Sequence, residues 1–161
     1  MKTTDAAPGG EITAAAVLGE MLPDQRQPTP PTVLVVDDEQ SVRELIAVIL
    51  ECQGYRVLIA EDGATALALA REHHPDLVIL DVMMPGMDGW EVGRRLAADP
   101  ETHDVRRLIV SAKPLAELDA APDRALAHAV LTKPFDFATF VEIVDRVLAA
   151  GSADPAPVPA G

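Results

Sequence analysis

Five short apolar runs limit what this chain can fold into: residues 33–36, 55–60, 77–80, 108–110 and 130–131. They are rich in Val, Ile and Leu and largely lack alternation, as expected of strands covered on both faces. Between them the period changes. Val42, Leu45, Ile46 and Ile49 recur at helical spacing, with Gly54 as the stop. Residues 64–72 read as a small-residue helix ended by Pro75, and a further helix runs from about Asp88 to Ala98, closed by Asp99–Pro100. Residues 114–128 read as a helix compromised by Pro122, which cannot sit quietly in a helix interior. Phe137, Phe140, Val141, Val144 and Val147 mark one face of a last helix, with Asp136 as N-cap and Gly151 as its stop. Strand–helix alternation repeated in this way predicts an α/β fold: a doubly wound, five-stranded parallel sheet, (βα)5, in three αβα layers.

Such a sheet binds ligands outside the carboxyl ends of its strands, near the point where strand order reverses. The sequence brings polar groups to those ends. The first run leads into Asp37–Asp38, the third into Asp81, the fourth into Ser111, and the fifth, after Thr132, into Lys133. Taken alone, Asp37–Asp38 could simply open the first helix, whose dipole favours acids. Three carboxylates at one edge, however, repel one another without a cation. Such an oxygen-rich cluster of Asp37, Asp38 and Asp81 suits Mg2+, which proteins hold with one or two carboxylates plus waters and phosphate oxygens. An ammonium (Lys133) and a hydroxyl (Ser111) around Asp81 complete a set suited to gripping a phosphoryl group. Asp81 is then placed as a nucleophile that becomes an acyl phosphate.

Charge and composition exclude other classes. Thirteen basic against 26 acidic residues give a formal net charge of -13. That disfavours direct contact with nucleic acid, which needs clustered Lys and Arg, and equally an anionic membrane. With only 3% aromatic residues the core has to be aliphatic. The single cysteine, Cys52, has no partner for a disulfide or a metal cluster, and its place on the first helix predicts a buried packing residue. Residues 1–5 lack the basic-then-apolar run of a signal peptide, and the apolar patch at 12–22 is too short to span a bilayer. A soluble, cytoplasmic protein is expected. Residues 1–31, ending in Gln27-Pro28-Thr29-Pro30-Pro31, read as a flexible Ala/Pro-rich extension, with a helical turn or two at 12–18. Residues 151–161 read as a disordered Pro-rich tail. His73–His74 end a helix, His128 is expected to be solvated, and Trp90 is expected beside the loop after Asp81, with Met83, Met84 and Met87 as loop packing.

Four pieces carry a family resemblance: Leu34-Val35-Val36-Asp37-Asp38, Leu80-Asp81-Val82-Met83-Met84-Pro85-Gly86-Met87-Asp88-Gly89, Ile109-Val110-Ser111-Ala112 and Leu131-Thr132-Lys133-Pro134-Phe135. In that order and at that spacing, residues 32–150 resemble a response-regulator receiver domain, the CheY-like, flavodoxin-like module of two-component signalling. The resemblance implies that Asp81 is the phospho-acceptor and that Asp37, Asp38 and the backbone carbonyl of Met83 serve Mg2+. It makes Ser111 the switch hydroxyl and Lys133 the lysine of the site, followed by a cis peptide bond at Pro134. It implies a sensor histidine kinase or histidine phosphotransfer protein as donor, then a downstream target that the sequence does not identify. The protein would not be an enzyme beyond its own phosphorylation and dephosphorylation. Eleven residues after Ala150 leave no room for an output domain, so a stand-alone receiver is expected.

The departures from the family fall together. Three residues before the lysine, where receivers commonly carry Tyr or Phe, stands Val130, which has no ring to swing inward. Leu126 replaces a glycine expected near the end of the fourth helix, and Pro122 interrupts that helix. All three lie on the face that regulators use for output or phosphorylation-linked homodimerisation. The expectation is intact phosphorylation chemistry with an unusual output face. Two alternatives stay open. A receiver fold that binds partners without phosphorylation fits Val130 and Pro122. A phosphatase of the haloacid dehalogenase type needs an acid two residues after its nucleophile, and that position is Met83.

Overall fold

The computed structural model describes residues 29–150; the N-terminal extension before them, the Gly151 stop and the tail lie outside the described residues. The chain alternates as β1 (Thr32–Val36), α1 (Gln40–Cys52), β2 (Arg56–Ala60), α2 (Gly63–His73), β3 (Leu77–Leu80), α3 (Gly89–Ala98), β4 (Arg106–Ser111), α4 (Leu115–Asp119), a 3-10 turn (Arg124–Leu126), β5 (Ala129–Thr132) and α5 (Phe137–Ala149). All strand pairs are parallel, in the order β2-β1-β3-β4-β5. The order reverses between β1 and β3, where Val36 lies beside Leu80. Asp37 and Asp81 follow those two residues, so the switch point of the sheet is where the acids emerge.

Alternation along the strands feeds two aliphatic layers. Leu34, Val36, Val78, Leu80 and Ile109 face Ala66 and Ala70 of α2, Val92 and Leu96 of α3, and Leu118 of α4. Val33, Val35, Leu77, Ile79, Leu108 and Val110 face Ile46 and Leu50 of α1 and Phe140, Val144 and Val147 of α5. Phe140 is fully buried and contributes roughly 2–3 kcal/mol by its removal from water. Three helices start on an aspartate. Asp62, Asp88 and Asp136 accept from the backbone N–H of Thr65, Glu91 and Thr139, satisfying donors that a helix start leaves free. His74 caps α2 in the left-handed region (φ 48°) just before Pro75. Among the described residues, no helix is long and apolar enough to cross a membrane.

Several expectations are corrected. Cys52 is exposed, not buried. The buried stripe of α1 is Arg43, Ile46, Ile49 and Leu50, and Cys52 falls on the opposite side with the exposed Leu45 and Val48. Phe137 sits at helical spacing from Phe140 yet is 51% exposed. As the first residue of α5 its side chain leans toward the helix N-terminus, past the end of the packed face. Residues 114–128 are not one helix: α4 stops at Asp119 and the chain resumes as a 3-10 turn after Pro122. Proline supplies no N–H and disfavours helical geometry in the residue before it. The interrupted stretch is held by side chains instead. Arg124 bonds Asp119 Oδ1 (3.0 Å) and the Ala127 carbonyl (3.0 Å), Arg94 pairs with Asp123, and the buried Arg107 donates to the Leu126 carbonyl (2.6 Å). Burial lowers the Arg107 pKa. His128 is half-buried, not solvated, and its Nδ1 accepts from the Arg107 backbone N–H at 3.1 Å.

Candidate functional site

β1 leads directly into Asp37, 2% exposed, and β3 into Asp81, 7% exposed; Asp38 is open to solvent. Each of the three offers a carboxylate oxygen within 4.8 Å of the other two. Backbone donors fix two of them. Asp37 Oδ1 accepts from the Glu39 N–H (2.9 Å) and Asp81 Oδ1 from the Met83 N–H (3.0 Å). Lys133 arrives from the far side of the sheet, beyond β4, and its Nζ donates to Asp37 Oδ2 (2.8 Å) and reaches Asp81 Oδ2 (3.4 Å). The bond between Lys133 and Pro134 is cis, and the Lys133 N–H donates to the Ser111 carbonyl (2.8 Å). Ser111 is fully buried at the end of β4, where its Oγ accepts from the Lys113 N–H (3.3 Å). The sequence-predicted residues Asp37, Asp38, Asp81, Ser111 and Lys133 therefore meet at one edge.

The loop after Asp81 depends on a close approach. A Cβ on Gly89 would lie 2.4 Å from the Asp81 carbonyl oxygen, a backbone atom with no room to yield. Met83 directs its side chain into solvent (55% exposed), whereas Met84 is buried and Met87 and Trp90 pack against the same layer. Sequence reading missed one member of the site. Arg43, only 9% exposed, donates through Nη1 to the Asp37 carbonyl at 2.7 Å. Its signal was a basic residue three positions before Ile46, on the stripe that should have been apolar.

Electrostatics show the tension. Burial pushes the Asp81 carboxyl above its ordinary value, against the Met83 N–H and the Lys133 ammonium; the neighbouring Asp37 pushes the same way as burial. Burial pulls the Lys133 ammonium down, but its bond to Asp37 and the charges of Asp81 and Asp37 outweigh that and leave it raised. Lys133 offsets one of three negative charges. The remaining donor set is hard oxygen, with no thiolate or imidazole in the cluster, and fits a divalent ion such as Mg2+.

Known proteins place this arrangement. The family model of the response regulator receiver domain matches residues 33–145. The chain is 37% identical over 117 residues to protein PilH of Pseudomonas aeruginosa, covering 73% of this chain and 97% of PilH. It is 39% identical to the phosphate regulon transcriptional regulatory protein PhoB of the same organism, of which it spans 51%. Among solved structures, the chemotaxis protein CheY4 of Vibrio cholerae superposes with a TM-score of 0.68 at 32% identity, over 73% of this chain and 98% of that one. The response regulator TrrA of Thermotoga maritima, solved with Mg2+ and BeF, gives 0.67 at 32% identity with the same coverage. A parallel sheet in the order 2-1-3-4-5, acids at its switch point and a lysine reaching them from the last strand agree with these likenesses, and the chain belongs to the response-regulator receiver domain family.

Proposed function

We propose that the protein is a phosphoryl-accepting receiver of two-component signalling, phosphorylated on Asp81. The convergence of three carboxylates and one ammonium from β1, β3 and β5 carries this reading. Receiver domains take phosphoryl groups from histidine kinases or histidine phosphotransfer proteins, and one of these is the proposed donor. An Asp81 carboxylate oxygen attacks phosphorus in line. The new O–P bond forms as the donor's N–P bond breaks, and the electron pair returns to the imidazole. Lys133 Nζ supplies positive charge beside the phosphoryl oxygens, and the Ser111 hydroxyl offers them a hydrogen bond. Asp37, Asp38, Asp81 and the Met83 carbonyl would hold Mg2+, which when bound neutralises charge on the transferring group. TrrA, crystallised with Mg2+ and BeF, supports this assignment.

The role is signalling rather than turnover. Phosphorylation would shift the balance between two arrangements of the segment from Ser111 to Lys133 and so change partner binding. The match spans nearly all of PilH and about half of PhoB, so the receiver region is what the relatives share, and its proposed target is another protein. Val130, half-buried against the layer that includes Leu118 and Ala127, favours a second reading in which the fold binds partners without phosphorylation.

Acetyl phosphate separates the two readings. With Mg2+ present, intact mass is expected to show one added phosphoryl group, absent from Asp81→Asn and absent without Mg2+. No adduct from acetyl phosphate or from a phosphodonor kinase would leave the phosphorylation-independent module.

A further inference from the structure

We infer that Arg43 is a positioning residue for the acid pair: its guanidinium sets the peptide between Asp37 and Asp38 and thereby aims the Asp38 carboxylate. The inference rests on the Mg2+ site proposed above. Asp37 is held at every polar atom. Its N–H donates to the Ala60 carbonyl, its Oδ1 accepts from Glu39 and its Oδ2 from Lys133, and its carbonyl accepts from Arg43 at 2.7 Å. Asp38 differs. It is exposed, so its place near Asp81 depends on the backbone that precedes it. That backbone is the peptide unit whose oxygen Arg43 grips. The Arg43 N–H donates to the carbonyl of the N-cap Glu39 at 3.0 Å, the first-turn bond that any residue there would make. The side-chain bond to the Asp37 carbonyl is therefore the contact that depends on the arginine.

Energetics support a dedicated role. Burying a guanidinium is costly unless it is paired or well bonded. Arg43 forms no ion pair with a carboxylate among the described residues, and its bond is to a neutral carbonyl. An apolar residue on this stripe would avoid the desolvation cost and pack as Ile46 and Leu50 do. The charge-assisted bond to the Asp37 carbonyl is the contact that such a residue could not make.

Charge and position predict opposite signs. As a bare cation near the site, Arg43 repels Mg2+, so its removal would tighten binding. As the group that aims Asp38, its removal weakens binding, by about tenfold or more if it acts as outer partners of metal ligands do.

The experiment is a calorimetric Mg2+ titration of wild type, Arg43→Gln and Arg43→Lys, with the fluorescence of Trp90, the single tryptophan, as a second readout. Wild type should bind. Arg43→Gln should bind about tenfold more weakly, and Arg43→Lys, which restores a charged donor, should recover part of the loss. Arg43→Met keeps the buried stem without the donor and carries the same test if the glutamine variant does not fold. A variant with lowered melting temperature but unchanged Mg2+ affinity would reduce Arg43 to a structural residue, and tighter binding would make it a bare charge; either overturns the inference. No binding by wild type would instead overturn the metal site itself.

Discussion

At the scale of single residues, Asp81 is a buried anion placed beside another, and its environment works against its charge. Its pKa in the folded protein lies above the ordinary 3.8, chiefly through burial. The native state thus keeps a proton that the unfolded chain has already lost. Stability falls as pH rises from the unfolded value through the folded one, and above that it stays lower. Removing the charge should reverse this. Without metal at pH 7, Asp81→Asn is expected to be more stable than wild type by on the order of 1 kcal/mol, about 3–5 °C in melting temperature. The advantage should shrink as pH drops toward the unfolded value. Thermal melts in chelator across pH check it, and an asparagine variant that melts lower at pH 7 would show that the Met83 and Lys133 contacts outweigh burial. Lys133 adds the other half of the picture: one ammonium serves two carboxylates, and the surplus negative charge makes the edge receptive to a divalent ion.

Elements differ in how plainly the sequence announces them. β3 was legible to the residue because a fully buried strand is a continuous apolar run bounded by Asp76 and Asp81. α5 was legible from Asp136 and the Phe140, Val144, Val147 stripe. The segment from α4 to the 3-10 turn was not, because residues with helical propensity surround Pro122 and nothing local says that Arg94 and Arg107 will join Arg124 in holding the broken backbone. Phe137 was misread because periodicity does not say how far packing extends along a helix, and Cys52 because Leu45 and Val48 make the outward side of α1 apolar as well. Of the site, the acids, the serine and the lysine could be read because strand ends deliver them. Arg43 could not, because its partner is a main-chain carbonyl that no sequence pattern marks. A further tie between elements is testable. Tyr55, just before β2, bonds Asp145 of α5, and burial together with that bond and the Asp145 charge pushes its phenol up to about 12. It is the chain's single tyrosine, so ultraviolet titration should show one phenolate step near pH 12 in wild type and a lower one in Asp145→Asn. A step at the ordinary value of 10 in wild type would show that the tie does not form in solution.

Across the whole molecule, the site and the proposed output face share one edge but not one layer. Ser111 is tied to Lys133 through the backbone, while Val130 packs on the opposite layer from the final helix, in the layer that holds Leu118 of the shortened α4. With no ring at Val130, the signal proposed to start at Ser111 would travel through the backbone bond to Lys133. Adding beryllofluoride with Mg2+ is therefore expected to shift backbone amide resonances throughout residues 112–135. Shifts confined to the neighbourhood of Asp81 would uncouple this face from phosphorylation. The span of the Lys133 contacts has a consequence for the life of the protein before any signal arrives. Lys133 stands 96 residues after Asp37 and 52 after Asp81 in the chain. A chain emerging from synthesis holds the three acids of the site long before the cation that reconciles them, and such distant contacts close late and slowly. If Asp81 is the phospho-acceptor proposed above, a partly made or partly unfolded copy would lack Lys133 at the site and would be mute rather than falsely active.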